Sequence, residues 1–149
     1  MVVNGWRLFY FKLFAEILTR LENEVRALAE KNPEDFEHHP KTKLLADVFK
    51  SITEDVPANP MDKKFMLGRT LGKQYGDWRR VKRGLPQRYR LFFRFTSSQK
   101  SVIYAWLNDE NTWRKEGSKN DVYTVFGRML ANGSMPSSID ELLKASLQA

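Results

Sequence analysis

The chain has 149 residues, 42% of them hydrophobic and 13% aromatic, enough to bury a core without a disulfide or metal staple and unlike a disordered tail. It contains no cysteine, which excludes a thiol nucleophile, a thiolate metal site and a disulfide framework. The net charge of +7 is unevenly placed: residues 61–120 hold 15 Lys/Arg against 5 Asp/Glu, whereas the flanking segments are slightly acidic, so a polyanionic partner is expected at the middle of the chain.

Gly5 to Lys12 is rich in aromatic residues and is expected to open the chain as a strand. The apolar run Trp6 to Leu18 is broken by Arg7, Lys12 and Glu16. It reads as neither a signal peptide nor a membrane span, and a cytoplasmic protein is expected. From about Phe11 to Lys31, Leu13, Phe14, Ile17, Leu18, Leu21, Val25 and Leu28 recur at helical spacing, which predicts an amphipathic helix. Asn32-Pro33 reads as a stop and a new start. A second helix, beginning between Pro33 and Lys41 and ending near Glu54, carries Leu44, Leu45, Val48, Phe49 and Ile52 on one face, so the two form an expected helical hairpin.

Residues 56–76 are punctuated by Pro57, Pro60, Gly68, Gly72 and Gly76 and read as a long, functional loop. Three strands are expected next, at 77–83, 88–96 and 101–108, forming an antiparallel meander. A polar stretch follows at 109–120, then a helix with Val122, Val125, Phe126, Met129 and Leu130 inward, ended by Asn132-Gly133. Residues 137–149 read as a last, loosely docked helix. The fold class is α+β: a helical hairpin on a small antiparallel sheet with a C-terminal helix, all in one domain spanning 1–149.

Alternation along the second strand puts Tyr89, Leu91, Phe93 and Phe95 on one face and Arg88, Arg90, Phe92 and Arg94 on the other. Trp78, Arg80 and Lys82 share a face of the first strand. Val102, Tyr104, Trp106 and Asn108 share a face of the third. Like charges gathered this closely disfavour folding, so an anionic ligand is expected on the basic face, with arginine forks on phosphate and aromatic faces on unpaired bases. Trp78 and Trp106 are either core or base-stacking platforms. His38 and His39 are adjacent and far from the basic strands, and read as surface or helix-packing residues rather than a catalytic pair. Carboxylates are few in the middle segment, which disfavours a two-metal nuclease site. Charge stabilisation by Arg and Lys, with Glu, Lys or Tyr moving protons, is the chemistry left. Two rival readings are a non-catalytic RNA- or ribosome-binding protein and a metal-dependent nuclease built on Asp109 and Glu110.

Arg80-Val-Lys82, followed by Arg88-Tyr-Arg-Leu-Phe-Phe-Arg94, resembles the central hairpin of RelE-superfamily toxins. With Val3-Asn-Gly-Trp6, Thr42 to Ala46, Asp77-Trp78, Trp106, Asn108 to Thr112, Arg114 and Tyr123-Thr-Val-Phe126, the ordered set is similar to the YhaV family within it. The resemblance implies a toxin that cleaves mRNA, often on the ribosome, and so blocks translation. It implies no cofactor and no metal. Its implied partner is a PrlF-like antitoxin that binds DNA, operator DNA being reached only through that antitoxin. It also implies roles for single residues. Arg80 and Lys82 contact phosphate and help to activate the 2′-hydroxyl or stabilise charge; Arg90 holds the scissile phosphate. Tyr123 stacks on a base or positions the nucleophile. The family's arginine at the end of the last central strand is missing, so either Arg114 supplies that charge or Glu110 transfers a proton. Arg79, Arg83, Arg88, Arg94, Lys115 and Trp78 are the further expected RNA contacts.

Overall fold

The computed structural model describes residues 1–149. After a two-residue strand β1 (Val2–Val3), strand β2 (Trp6–Phe11) runs directly into α1 (Lys12–Lys31). The apolar character of β2 reflects burial on both sides: Trp6, Leu8 and Tyr10 face one core, Phe9 and Phe11 the other. Phe14, Leu18, Leu21 and Val25 form the buried stripe of α1, as a 3.6-residue repeat requires.

The second helix, α2 (Pro40–Lys50), starts well after Pro33. His39 caps it, its Nδ1 accepting the Lys41 N–H, and Pro40 takes the first helical position, where its missing N–H is harmless. A wide π turn (Ser51–Asp55) and a single turn α3 (Val56–Ala58) prolong it. The Tyr104 hydroxyl donates to the Ile52 carbonyl of that π turn at 2.8 Å, and burial pushes the Tyr104 phenol well above its ordinary pKa.

The remaining elements are β3 (Arg79–Val81), β4 (Leu91–Thr96), β5 (Ser101–Leu107), α4 (Val122–Asn132), α5 (Ile139–Lys144) and β6 (Ser146–Gln148). The sheet order is β1-β2-β5-β4-β3, with β6 pairing β2 beyond β1. The β3–β4–β5 part is the expected antiparallel meander. The sheet as a whole is mixed and not antiparallel, because β2 pairs in parallel with β5 from Arg7↔Ser101 to Tyr10↔Tyr104. Parallel neighbours need a long crossover, and the chain between β2 and β5 supplies one. Helices α1 and α2 cover one face of the sheet and α4 the other.

Two strands are shorter than alternation predicts. Arg88 has φ of +75° and lies outside β4, and Lys82 and Arg83 lie beyond β3. A bulge also interrupts the β4–β5 register: Phe92 pairs with Trp106, but the next residue, Phe93, pairs with Tyr104. The extra residue, Ala105, turns Trp106 onto the α4 face, away from Val102 and Tyr104. A strict period of two cannot anticipate that inversion.

Residues 137–149, expected to be loosely docked, are built into the molecule. Leu142 is fully buried, β6 pairs with β2, and the Ala149 N–H donates to Leu8 O. Ala145 O in turn receives the first N–H of α1, at Lys12. Gly133 ends α4 in the left-handed conformation at φ +82°, as a C-terminal glycine should. No helix is long and apolar enough to cross a membrane.

Candidate active site

The basic face of the meander is not an open surface. Helix α4 lies on it, and Phe126 stacks on Phe92 with ring centroids 4.0 Å apart and on Trp106 at 5.7 Å. Trp78 meets Phe126 edge-on and is 1% exposed. Trp78 and Trp106 are therefore core residues, and Trp78 is no platform for a base.

The arginines gather at the edge of this aromatic stack, around one tyrosine of the first turn of α4. Arg80 Nε and Arg90 Nε each donate to the Tyr123 hydroxyl oxygen at 2.9 Å. Arg114 lies over the Tyr123 ring, its Cζ 5.1 Å from the centroid, and Arg90 lies 5.9 Å from it. Three cations, from β3, from the residue just before β4 and from a loop, thus converge on Tyr123. The positions are held from behind. Arg80 Nη1 donates to Met66 O at 2.6 Å, Arg90 Nη1 to Tyr89 O at 2.8 Å, and the Arg90 N–H to Asn108 Oδ1 at 2.7 Å. Asn108 Nδ2 donates to Arg88 O and Thr112 O, which pins the 108–112 turn to the segment that leads into β4.

The exposed Glu116 stands 3.9 Å from Arg114 Nη2, and the buried carboxylate in the cluster is Asp121, the N-cap of α4. Its oxygens accept from Arg114 Nη1 at 2.7 Å, the Lys115 N–H at 2.6 Å and the Tyr123 N–H at 3.0 Å. Burial alone would raise the Asp121 pKa, but these three hydrogen bonds and the Arg114 charge outweigh it and hold the carboxyl below the usual range. The same pair holds Arg114 above its ordinary value, the Asp121 hydrogen bond being the largest cause. Asp121 is the site residue that strand and charge reasoning passes over. Its signal was present, since Asp directly before an apolar helical run is a strong N-cap.

Arg80 and Arg90 form no salt bridge with any carboxylate, although Arg90 is only 6% exposed. Their Nη2 atoms make no hydrogen bond within the protein, and no protein group accepts the Tyr123 O–H. An excess of cations of this kind is costly unless an anion joins it. A phosphate matches the unused donors, because guanidinium forks grip phosphate oxygens.

The other expected residues are scattered. Lys82, Arg83, Arg88 and Lys115 are exposed, with no hydrogen bond from their side chains to the protein. Arg94 has a structural post: it donates to Ser137 O, pairs with Asp77 at 3.5 Å and covers the Trp78 ring. Desolvation is the main cause that lowers its pKa. Arg79 points to the opposite face, over Phe95, and donates to Gly76 O and Trp78 O. Glu110 touches none of the Tyr123 cluster. It lines a separate cavity of about 270 Å³ with Lys41, Glu24 and Tyr89 on the α1–α2 side. No group of three or more His, Asp or Glu side chains is placed to hold a metal ion.

Residues 8–147 match the family model of YhaV toxins, described as a toxin with endonuclease activity, of a toxin–antitoxin system. The chain is 45% identical over 141 residues to Toxin YhaV of Escherichia coli O6:H1, covering 94% of this chain and 91% of that one. It is 44% identical over 143 residues to Ribonuclease toxin YhaV of Escherichia coli K12, covering 95% and 92%. No solved structure matches it.

Proposed function

The chain belongs to the YhaV toxin family, and on that premise we propose that it is an endoribonuclease of the RelE-like type that cleaves mRNA at the Tyr123 cluster by positive charge rather than by a metal. One observation carries the reading: two guanidinium groups without carboxylate partners share the Tyr123 hydroxyl and keep their Nη2 donors unused. The scissile phosphate binds to the free Nη2 atoms of Arg80 and Arg90. Charge that develops on its oxygens meets donors already in place, where preorganised hydrogen bonds contribute most. Tyr123, whose own proton has no acceptor in the protein, gives it to the departing 5′-oxygen, with both arginines against the oxygen left behind. The 2′-hydroxyl attacks phosphorus in line from the opposite side and gives its proton to a water molecule, while exposed Lys82 and Arg83, just beyond the end of β3, neutralise the charge that forms. Arg114 supplies the charge missing from the end of the last strand, and its pairing with Asp121 fixes it over the Tyr123 ring.

In the cell this reading makes the substrate an mRNA engaged by the ribosome, so that cleavage stops translation. The partner is a PrlF-like, DNA-binding antitoxin whose acidic side chains cover the cluster.

The decisive experiment is single-turnover cleavage of mRNA on translating ribosomes, comparing the wild type with Tyr123→Phe, with a separate assay of ribosome-free RNA with and without EDTA for metal dependence. The wild type cleaves, and Tyr123→Phe is slower by roughly 100- to 1000-fold, the usual effect of losing one transition-state donor. Thermal melts on the same preparations confirm folding. A folded Tyr123→Phe protein that cleaves at the wild-type rate overturns the site. Activity that disappears in EDTA overturns the metal-independent chemistry, and RNA that is bound but never shortened leaves a binding protein.

A further inference from the structure

Four tryptophans are present, and three belong to the core: Trp6 is 3% exposed, Trp78 1% and Trp106 7%. Trp113 is different. It is 39% exposed, it directly precedes Arg114 of the Tyr123 cluster, and no apolar core claims it. Folding by itself favours covering so large an apolar ring. Its position is nevertheless defined. The Tyr89 ring meets it edge-on, with centroids 6.1 Å apart at 81°. The loop beneath is tied down by the Arg114 N–H donating to Arg88 O at 3.1 Å and by Asn108 Nδ2 holding Thr112 O at 2.9 Å. An aromatic ring braced on one side and open on the other has already lost the freedom that binding would otherwise cost it.

The chemistry around the ring is equally specific. Arg88 and Lys115 are exposed, and Arg114 is half-buried, so three cations flank Trp113 in the sequence and across the loop contact, against the exposed Glu116 that stands 3.9 Å from Arg114. The cavity behind Tyr89 is instead lined by Glu24, Asp109 and Glu110 against Arg20 and Lys41, with Lys41 paired to Glu24, so it offers phosphate no excess of cations. A ligand with an anionic backbone and a flat, uncharged ring fits this arrangement, and single-stranded RNA is such a ligand.

Resting on the nuclease reading above, we propose that Trp113 is the base-stacking platform of the RNA site, holding an unpaired nucleobase next to the phosphate bound at Arg80, Arg90 and Arg114. Exposed Trp113 takes the role that the sequence offered to Trp78. It sets affinity and the choice of base at one subsite, while the Tyr123 cluster carries the chemistry.

The test uses the full-length protein and a short single-stranded RNA with 2′-O-methyl groups throughout, which cannot be cleaved by attack of the 2′-oxygen. Binding is followed by anisotropy of a dye on the RNA and, independently, by tryptophan fluorescence. RNA binding is expected to quench wild-type fluorescence and to protect it from acrylamide, while the buried tryptophans of Trp113→Phe give no comparable change. Trp113→Ala should bind tenfold to a hundredfold more weakly, the range for removing one base–aromatic stack. Its salt dependence should be unchanged, because no phosphate contact is lost. Trp113→Phe should recover most of the affinity, which separates stacking from loop collapse. In cleavage assays Trp113→Ala should raise KM more than it lowers kcat. If wild-type protein binds this RNA without a change in fluorescence, or Trp113→Ala binds as tightly as wild type, the platform is refuted and the Tyr123 site stands. If wild-type protein fails to bind the RNA even at low salt, the platform falls whatever the cleavage assay on ribosomes shows. Loss of cleavage as well removes the nuclease reading with it.

Discussion

Both faces of the sheet bury large rings, yet they differ in what accompanies them. Under α1 and α2, Phe14, Phe93 and Tyr104 pack with aliphatic side chains, and the polar atom of the group, the Tyr104 hydroxyl, is satisfied by Ile52 O. Under α4, the stack of Phe92, Trp106, Phe126 and Trp78 is bordered by Arg80, Arg90, Arg94, Asp121 and Tyr123. The first face contains what stability asks for. The second carries charge that stability alone does not explain, and it uses arginine in two ways. Arg94 is held by Ser137 O, Asp77 and the Trp78 ring and its one unused donor, Nε, is buried, whereas Arg80 and Arg90 keep Nη2 donors in reserve around Tyr123.

The largest effects should come from cutting one ring from each face. Phe14→Ala and Phe126→Ala should each destabilise the protein by about 3–5 kcal/mol in urea unfolding, as transfer and cavity terms add. Cleavage per folded molecule should separate them, remaining near wild type for Phe14→Ala and falling for Phe126→Ala, because Phe126 seats the helix that carries Tyr123. Equal losses of cleavage would erase the distinction between the faces.

Next in size is the contrast between the two uses of arginine. Arg90→Gln should lower the single-turnover rate by roughly 100-fold or more. It should also cost stability, since Arg90 is buried; the open strand face expected from alternation would have made its removal harmless. Arg94→Gln should leave the rate within about twofold and cost on the order of 1–2 kcal/mol through its lost hydrogen bonds. A reversed order in the rates would move the site to the Asp77–Arg94 end of the sheet.

The smallest effects concern Asp121. Asp121→Asn keeps a good helix cap but loses the charge facing Arg114, so the rate should fall about tenfold with a modest loss of stability, and Asp121→Ala should lose more stability than Asp121→Asn. The Asp121 carboxyl lies below its ordinary pKa when folded. Its contribution is therefore complete above the unfolded value, about 3.9, and disappears as pH falls through the lower folded value. The stability gap between wild type and Asp121→Asn should be constant from pH 5 to 8 and shrink below about pH 4. A gap that instead closes on raising the pH would mean that Asp121 is not ionised in the folded protein.

The sequence by itself determined much of the local structure. The 3.6-residue repeat marked α1, the Asn132-Gly133 pair marked the end of α4, and short turns marked the β3–β4–β5 meander, because these signals act between neighbours along the chain. It also marked Arg80, Arg90 and Tyr123 through family resemblance, and these three share one hydroxyl oxygen. Only the tertiary structure decided which surfaces stay open. The parallel pairing of β2 with β5 depends on segments some ninety residues apart, the bulge at Ala105 moves Trp106 by one unpaired residue, and both lie outside any local period. Burial of Trp78 follows from where α4 comes down on the sheet. The same placement buries Asp121 beside Arg114, leaves Glu110 in a different cavity, and turns a row of strand arginines into a cluster around one tyrosine. Composition records how many charges a chain has, but a packed helix determines which of them can still reach a phosphate.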